Sequence, residues 1–406
     1  MKAISNRLTN RELRLSTADQ ITSSLSNLVF ILLVANSSSP EGFAQISTIW
    51  TVISFSVVIS RSVFGVPLLL DQHTRSVQKP ILISGARLGA LLLGVPAVIA
   101  SFSIFLFGQG DSGLAFIVLA ACTPLILLQD FGRYLAIANG KGQDALASDL
   151  LLLIPLAIAG INAIAKPQVL NALDSTLVLF ASLLVSLVAL RKYGVVTLSF
   201  KHLRTTISSD SLRRKKLFQE SITSAFTAVA TILAVWVAYD PLAVAAFNGA
   251  LYVLSPITLT VLIVNLVIQQ SVSKSNGVIH KREYAIFVTL LFASVVWSLS
   301  VANLPNFLGS VLLGDSWNLV QPLVIPMGAV LCLSLVMEFV FMVFRSREQF
   351  SLVVRVRILL ALSTPFVYVI CGALNYSLSR SLYVVSTLIM FVVLGLYVRS
   401  RSYFLG

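Results

Sequence analysis

The sequence predicts an all-α integral membrane protein: about twelve transmembrane helices in two six-helix bundles related by a parallel pseudo-two-fold repeat. Three observations predict it. The 406 residues are 57% hydrophobic and only 11% charged, with a mean hydropathy of +0.92, where a globular domain carries roughly 25% charged residues. The apolar runs reach the ~20 residues that a helix needs to cross a bilayer. The basic residues alternate from one side of these runs to the other, and the second half of the chain partly repeats the first.

The expected spans are 18–36, 43–66, 81–107, 114–138, 146–165, 170–190, 217–239, 243–270, 284–304, 320–344, 352–374 and 380–398. Prolines 96, 124, 155, 256, 326 and 365 fall within them; neighbouring helices can satisfy the carbonyls that proline leaves open. The stretch from Met1 to Arg14 is basic, but no Ala-x-Ala-like site follows the first apolar run, so that run is read as a retained helix. Cys122, Cys332 and Cys371 lie in apolar segments with a spacing that suits neither a disulfide framework nor a metal. His73, His202 and His280 lie in short polar loops, poor places for a catalytic or ligating imidazole. No cofactor is implied.

Charge sets the orientation. With the N-terminus inside, 26 of the 29 Lys and Arg fall on the inner side. Lys166 and Arg380 fall outside, and Arg61 lies within the second span. That bias puts both termini on the cytoplasmic side of a multi-pass membrane protein. It also accounts for the net charge of +13 without any nucleic-acid partner. The inner loops are expected to rest against the headgroups of membrane lipids.

The longest hydrophilic segment, 191–216, divides the chain into lobes 1–190 and 217–406. At an offset of 201, Ile21, Thr22, Ser23, Ile31, Leu32, Val34, Pro40 and Ala44 recur as Ile222, Thr223, Ser224, Ile232, Leu233, Val235, Pro241 and Ala245. Both segments run outward, so the repeats are parallel, as in carriers with a site between two rocking bundles. The first span opens with Asp19, Ser23, Ser26 and Asn27 on one helical face. The seventh carries Glu220, Thr223, Ser224 and Thr227. Lipid offers these groups no partners, so they face a neighbouring helix or a wet cavity.

Four stretches carry a family resemblance. "ADQITSSLSNLVFILLVANSSSPEGFAQI" resembles the first helix of the polysaccharide/O-antigen flippase family of the multidrug/oligosaccharidyl-lipid/polysaccharide (MOP) exporter superfamily. "SRSVFGVPLLL" resembles that family's second-helix end, "ANGKGQDALASDLL" its fourth-to-fifth loop and "LLGDSWNLVQPLVIPMG" the start of its tenth helix. The resemblance implies two six-helix lobes in a V around a cavity lined by helices 1, 2, 7 and 8. It implies a polyprenyl-pyrophosphate-linked oligosaccharide as cargo, flipped from inner to outer leaflet for surface polysaccharide synthesis, with polysaccharide polymerases as partners. The chain departs from the lipid II flippases in having twelve expected spans rather than fourteen and few cavity arginines.

An ionisable group inside the membrane is a functional candidate by default. Arg61 can pair bidentately with a pyrophosphate, or brace Asp19 in a structural ion pair; both readings stand. Asp19, Asn27, Asn248, Asn265 and Gln269 are the further cavity candidates, amides and hydroxyls being the groups that sugars need. Glu338, Asp130 and Glu220 are candidates for coupling to H+ or Na+. Glu338 could instead pair with Arg345 or Arg355, Asp130 with Arg133, and Glu220 with Lys216. Helices 3, 5, 6, 9, 11 and 12 read as scaffold. No ATP motif is present, so an ion gradient or the membrane potential would drive transport.

Two other readings compete. A secondary exporter of small amphipathic molecules, MATE-like or major-facilitator-like, shares the six-plus-six layout, but "DQHTRSVQKP" lacks the major-facilitator Gly-x-x-x-Asp-Arg loop spacing. A membrane glycosyltransferase or polymerase would need a sizeable outer loop with acidic or histidine groups, and the longest outer loop, 305–319, carries only Asp315. The chain is therefore read as no enzyme.

Overall fold

In the computed structural model of the chain, the described residues are 2–65, 79–107, 113–165, 170–193, 199–208, 211–264, 268, 272, 279–347 and 349–404. They are almost entirely helical. The helices are α1 (Lys2–Ser37), α2 (Pro40–Ser60, continuing as a π-turn over Arg61–Gly65), α3 (Lys79–Leu93), α4 (Val95–Phe107), α5 (Gly113–Ala138), α6 (Gly142–Ala165) and α7 (Ala172–Ala189). Then come α8 (Phe200–Ser208), α9 (Ser211–Ala238), α10 (Pro241–Val253), α11 (Ser255–Ile263), α12 (Lys281–Ala302), α13 (Asn306–Leu313), α14 (Trp317–Ser346), α15 (Phe350–Ala373) and α16 (Leu378–Phe404).

The boundaries follow local chemistry. Ser39 caps α2 by accepting from Gly42 N at 3.2 Å, with Pro40 in the first position, where its missing N–H costs nothing. Asp240 caps α10 in the same way with Pro241 following, so the sequence repeat extends to the cap. Asn171 and Asp174 form a reciprocal capping box at the start of α7, at 2.9 and 3.0 Å. Two expected spans are interrupted. Gly94 separates α3 from α4 and Leu254 separates α10 from α11, and in each case proline is the second residue of the following helix. Pro96 and Pro256 cannot donate to the preceding turn; across Leu254 the axis bends by 53°.

Ten helical segments among the described residues are long and apolar enough to cross a membrane, or eleven with the bent pair α10–α11 counted as one span. A further apolar helical stretch, Ala225–Ala238 at the end of α9, lies on the expected seventh span, and the helices agree with the expected all-α membrane fold of about twelve spans. The chain is a multi-pass membrane protein. Its lipid-facing surface keeps apolar side chains outward: Ile154, Ile158 and Ile161 on α6, Phe366 on α15 and Phe391 on α16 are all more than half exposed.

The chain folds as two compact units, Met1–Ala225 and Phe226–Gly406. In the first, α1 lies along α6, α5 packs on α7, and Phe30 meets Trp50 at a ring distance of 4.6 Å. In the second, α14 is central, packed by α10, α12 and α16. Phe339 stacks on Phe287 at 4.0 Å, and the Trp317 ring lies against Gly309, where any Cβ would overlap it.

The hydrophilic segment 191–216 is less free than its composition suggests. Tyr193 Oη donates to Asp144 at 2.7 Å, Lys192 pairs with the same carboxylate at 2.7 Å, and Arg87 donates to the Tyr193 carbonyl at 2.7 Å. Burial and the Asp144 carboxylate both push the Tyr193 hydroxyl above its ordinary range, so it remains a donor. Helix α8 then packs on α3, where Gly85 lies so close that a Cβ would overlap the His202 carbonyl. His202 Nδ1 and Ser84 Oγ are 3.1 Å apart.

Candidate functional site: an ion network beneath a cavity in the first unit

Four helices of the first unit bring charge into its interior. Asp19 lies on α1 as the second residue of its span. Ser23 follows one turn later. Arg61 opens the π-turn that ends α2. A wider turn re-aims the side chain it carries. Gly65, four residues on, lies against the Tyr134 ring with no room for a Cβ, so α2 closes tightly on α5. Gln129, Asp130 and Arg133 share one side of α5, and Ser148 and Asp149 enter from α6.

Arg133 is the centre. Its Nη2 pairs with Asp19 Oδ2 at 2.6 Å and with Asp149 Oδ2 at 2.9 Å. Its Nη1 donates to Ser23 Oγ at 2.9 Å and lies 3.3 Å from Asp130 Oδ1. Asp130 turns its carboxylate to Arg61, accepting from Nη2 at 2.6 Å and from Nε at 2.9 Å. Gln129 donates to Asp149 Oδ1 at 2.7 Å. The cluster thus holds three carboxylates and two guanidiniums, one negative charge in excess. Asp149 is fully buried and Asp19, Asp130 and Arg133 nearly so; the Arg61 side chain keeps 24% of its surface exposed.

Above this floor lies a cavity of about 240 Å³. Ser23, Ser26, Asn27, Ser54, Arg61 and Gln129 make its polar side, and Phe30, Trp50, Ile53, Leu152, Leu156, Leu179 and Leu183 its apolar side. Liquid water occupies ~30 Å³ per molecule, so several waters fit. Asp130 engages Nε and Nη2 of Arg61, while Nη1 makes no hydrogen bond among the described residues. A cation with one edge braced and one edge at a cavity can hold an anionic oxygen there.

The structure corrects several expected pairings. Arg61 meets Asp130 and not Asp19, whose partner is Arg133. Asp130 does contact Arg133, three residues on, but its closer bond crosses to α2. Arg87 and Arg133, counted among the inner-side charges, are both buried. The fifth helix, read as scaffold, supplies Ser148 and Asp149. In the second unit Glu338 pairs with Arg345 at 3.4 Å and with Arg357, rather than with the exposed Arg355. Asn248 is buried on α10. Asn265 and Gln269 lie outside the described residues, as does the side chain of Glu220.

No family profile matches the sequence, and no curated protein matches it. Solved structures do match its fold. A multidrug-resistance MATE-family transporter of the MOP superfamily, in an inward-facing conformation, aligns with a TM-score of 0.67 over 94% of each chain at 11% identity. The lipid II flippase MurJ, inward closed, aligns at 0.68 over 96% of this chain and 87% of its own, at 15% identity. A MOP-superfamily transporter from Pyrococcus furiosus aligns at 0.57 over 97% and 94%, at 13% identity. The chain has the fold of MOP-superfamily transporters.

Proposed function

We propose that the protein is a transporter that flips a polyprenyl-pyrophosphate-linked oligosaccharide from the inner to the outer leaflet by alternating access, in surface polysaccharide synthesis. The observation that carries this reading is Arg61: an intramembrane guanidinium, braced by Asp130 and open to a cavity whose one side is hydroxyl- and amide-bearing. A pyrophosphate needs such a cation, and sugar hydroxyls need such donors and acceptors. The four stretches that resemble polysaccharide flippases, Ala18–Ile46 foremost, point to the same cargo. The bacterial cytoplasmic membrane, cytoplasmic termini and a polymerase partner belong to this reading.

The driving force is an ion or the potential. The Asp19–Asp130–Asp149 cluster has one acid more than its two arginines balance, which one proton or one monovalent cation would offset; Asp130, the coupling candidate, lies in this cluster and touches both arginines. The second reading, an exporter of small amphipathic molecules, is favoured by the aromatic wall of Phe30 and Trp50. Mass spectrometry of membrane lipids after depletion of the protein separates the two. Accumulation of a polyprenyl-pyrophosphate oligosaccharide with loss of surface glycan supports the flippase; an unchanged lipid pool refutes it and leaves the exporter.

A further inference from the structure

Where α6 and α7 of the first unit run together, a groove of about 680 Å³ opens on the surface of the molecule. That volume lies within the ~300–1,000 Å³ of pockets that hold a small ligand. Pro155, Ile158, Ala159 and Asn162 line it from α6, at spacings of three, four and seven that share one helix face. Val178, Ala181, Ser182 and Val185 line it from α7 at the same spacings. Two such faces would ordinarily close on each other. Here small residues leave the floor open: Ala159 and Ser182 are buried, while the larger Ile158 and Val185 stand outward, 57% and 45% exposed. The groove is thus continuous with the surface that Ile154 and Ile161 present to lipid.

Depth and charge set what fills it. Asn162 is the fourth residue from the end of the span Gly142–Ala165, about 5 Å inside it, and Pro155 lies ~10 Å deeper. Apolar walls hold no water, and at this depth hydrocarbon surrounds them. The Ser182 hydroxyl donates to the Val178 carbonyl at 2.6 Å. The Asn162 amide makes no hydrogen bond among the described residues. Among those residues no charged side chain lines the groove, so a phosphate finds no cation there. The ester carbonyls of a glycerophospholipid lie below its phosphate, at the acyl boundary, and an amide N–H donates to such an oxygen. We propose that the groove between α6 and α7 holds one acyl chain of a membrane phospholipid, with Asn162 hydrogen-bonded to that chain's ester carbonyl and Pro155 toward its deep end. The chain fills the space between two helices, and so steadies α6, which carries Asp149 nearer its other end. This site is independent of the proposed cargo.

The test places the full chain in nanodiscs of phosphatidylcholine doped with phosphatidylcholine that bears a diazirine on one acyl chain. After irradiation, adducts are mapped by peptide mass spectrometry. They are expected to concentrate on residues 155–162 and 178–185 relative to the lipid-facing stretch 391–398 of α16, and to fall to the α16 level in Ala181→Phe, which fills the groove. The same probe with its chain in ether linkage lacks the carbonyl and should label the groove about fivefold less, the weight of one hydrogen bond of ~1 kcal/mol. Asn162→Leu, altered at an exposed position, should erase that preference while the protein stays folded. Labelling no denser in the groove than on α16, or an ester preference that survives Asn162→Leu, would overturn the proposal. So would displacement of the probe by an equal amount of a polyprenyl phosphate, which would give the groove to the tail of the cargo instead.

Discussion

Removing Arg133 should cost far more than removing one of the acids it holds, because the network already carries one carboxylate too many. Arg133→Gln leaves Asp19, Asp130 and Asp149 buried with Arg61 alone, two negative charges in excess. Breaking a buried pair in this way costs about 3–5 kcal/mol. For a unit of this size, about 2–4 °C of melting temperature accompanies each kcal/mol, so a fall of roughly 10 °C is expected. Asp149→Asn instead leaves two acids against two arginines. The amide keeps an oxygen for Gln129, now 2.7 Å from Asp149 Oδ1, while its NH2 replaces the Oδ2 that lies 2.9 Å from Arg133 Nη2; the lost pair offsets part of the relieved charge, and the change should cost about 1–2 kcal/mol, well below Arg133→Gln. The double variant Arg133→Gln/Asp149→Asn restores the wild-type net charge and should recover around half the loss. The assay is thermal unfolding of the detergent-purified chain, followed by the survival of a monodisperse size-exclusion peak. If Asp149→Asn is as damaging as Arg133→Gln, or if the double variant loses the sum of both, charge balance does not govern the cluster.

Three other predictions follow the same geometry. Arg61→Ala should abolish export while the protein stays in the membrane, and Arg61→Lys should restore only part, since an ammonium cannot give Asp130 two parallel bonds; surface-glycan yield measures both, and full activity in the Ala variant refutes the role. Gly85→Ala should lift α8 from α3, because the new Cβ overlaps the His202 carbonyl: a cysteine placed at the buried Thr206 should resist maleimide in the parent and react at least tenfold faster in the variant. Flipping of a net anion outward should gain ~2.3 kcal/mol per charge per 100 mV of inside-negative potential, so valinomycin with matched potassium should slow it; an unchanged rate would remove the potential from the mechanism.

The helices were legible because their signals are local. Ser39-Pro40 and Asp240-Pro241 announce their helix starts, and apolar runs set lengths within a few residues. The breaks at Gly94 and Leu254 were half legible: Pro96 and Pro256 were visible inside their spans, but only the fold shows that each ends one helix and starts another. Asp19 and Arg61 stood out as charges within apolar runs. Their partners did not, because which helices touch is a property of tertiary packing. Asp149 was missed for a related reason. It lies close to the start of its span, where an acid reads as a helix-end group, and nothing local shows that α1 and α5 cover it. Arg355 and Arg357 are two residues apart and so point to opposite sides of α15, a difference decided by the face that α14 occupies.

The distribution of bonds around Arg133 also divides the first unit mechanically. One guanidinium grips α1 through Asp19 and Ser23 and α6 through Asp149 while itself riding on α5. Sliding any of these three helices past the others breaks several charged bonds together, so they behave as a single stiff strut. Within this network α2 is tied to the strut through one link, Arg61 to Asp130. A ligand that competes for Arg61 breaks this link without disturbing the strut, so on the proposed function the arginine assigned to the cargo is also the tie that cargo binding would release.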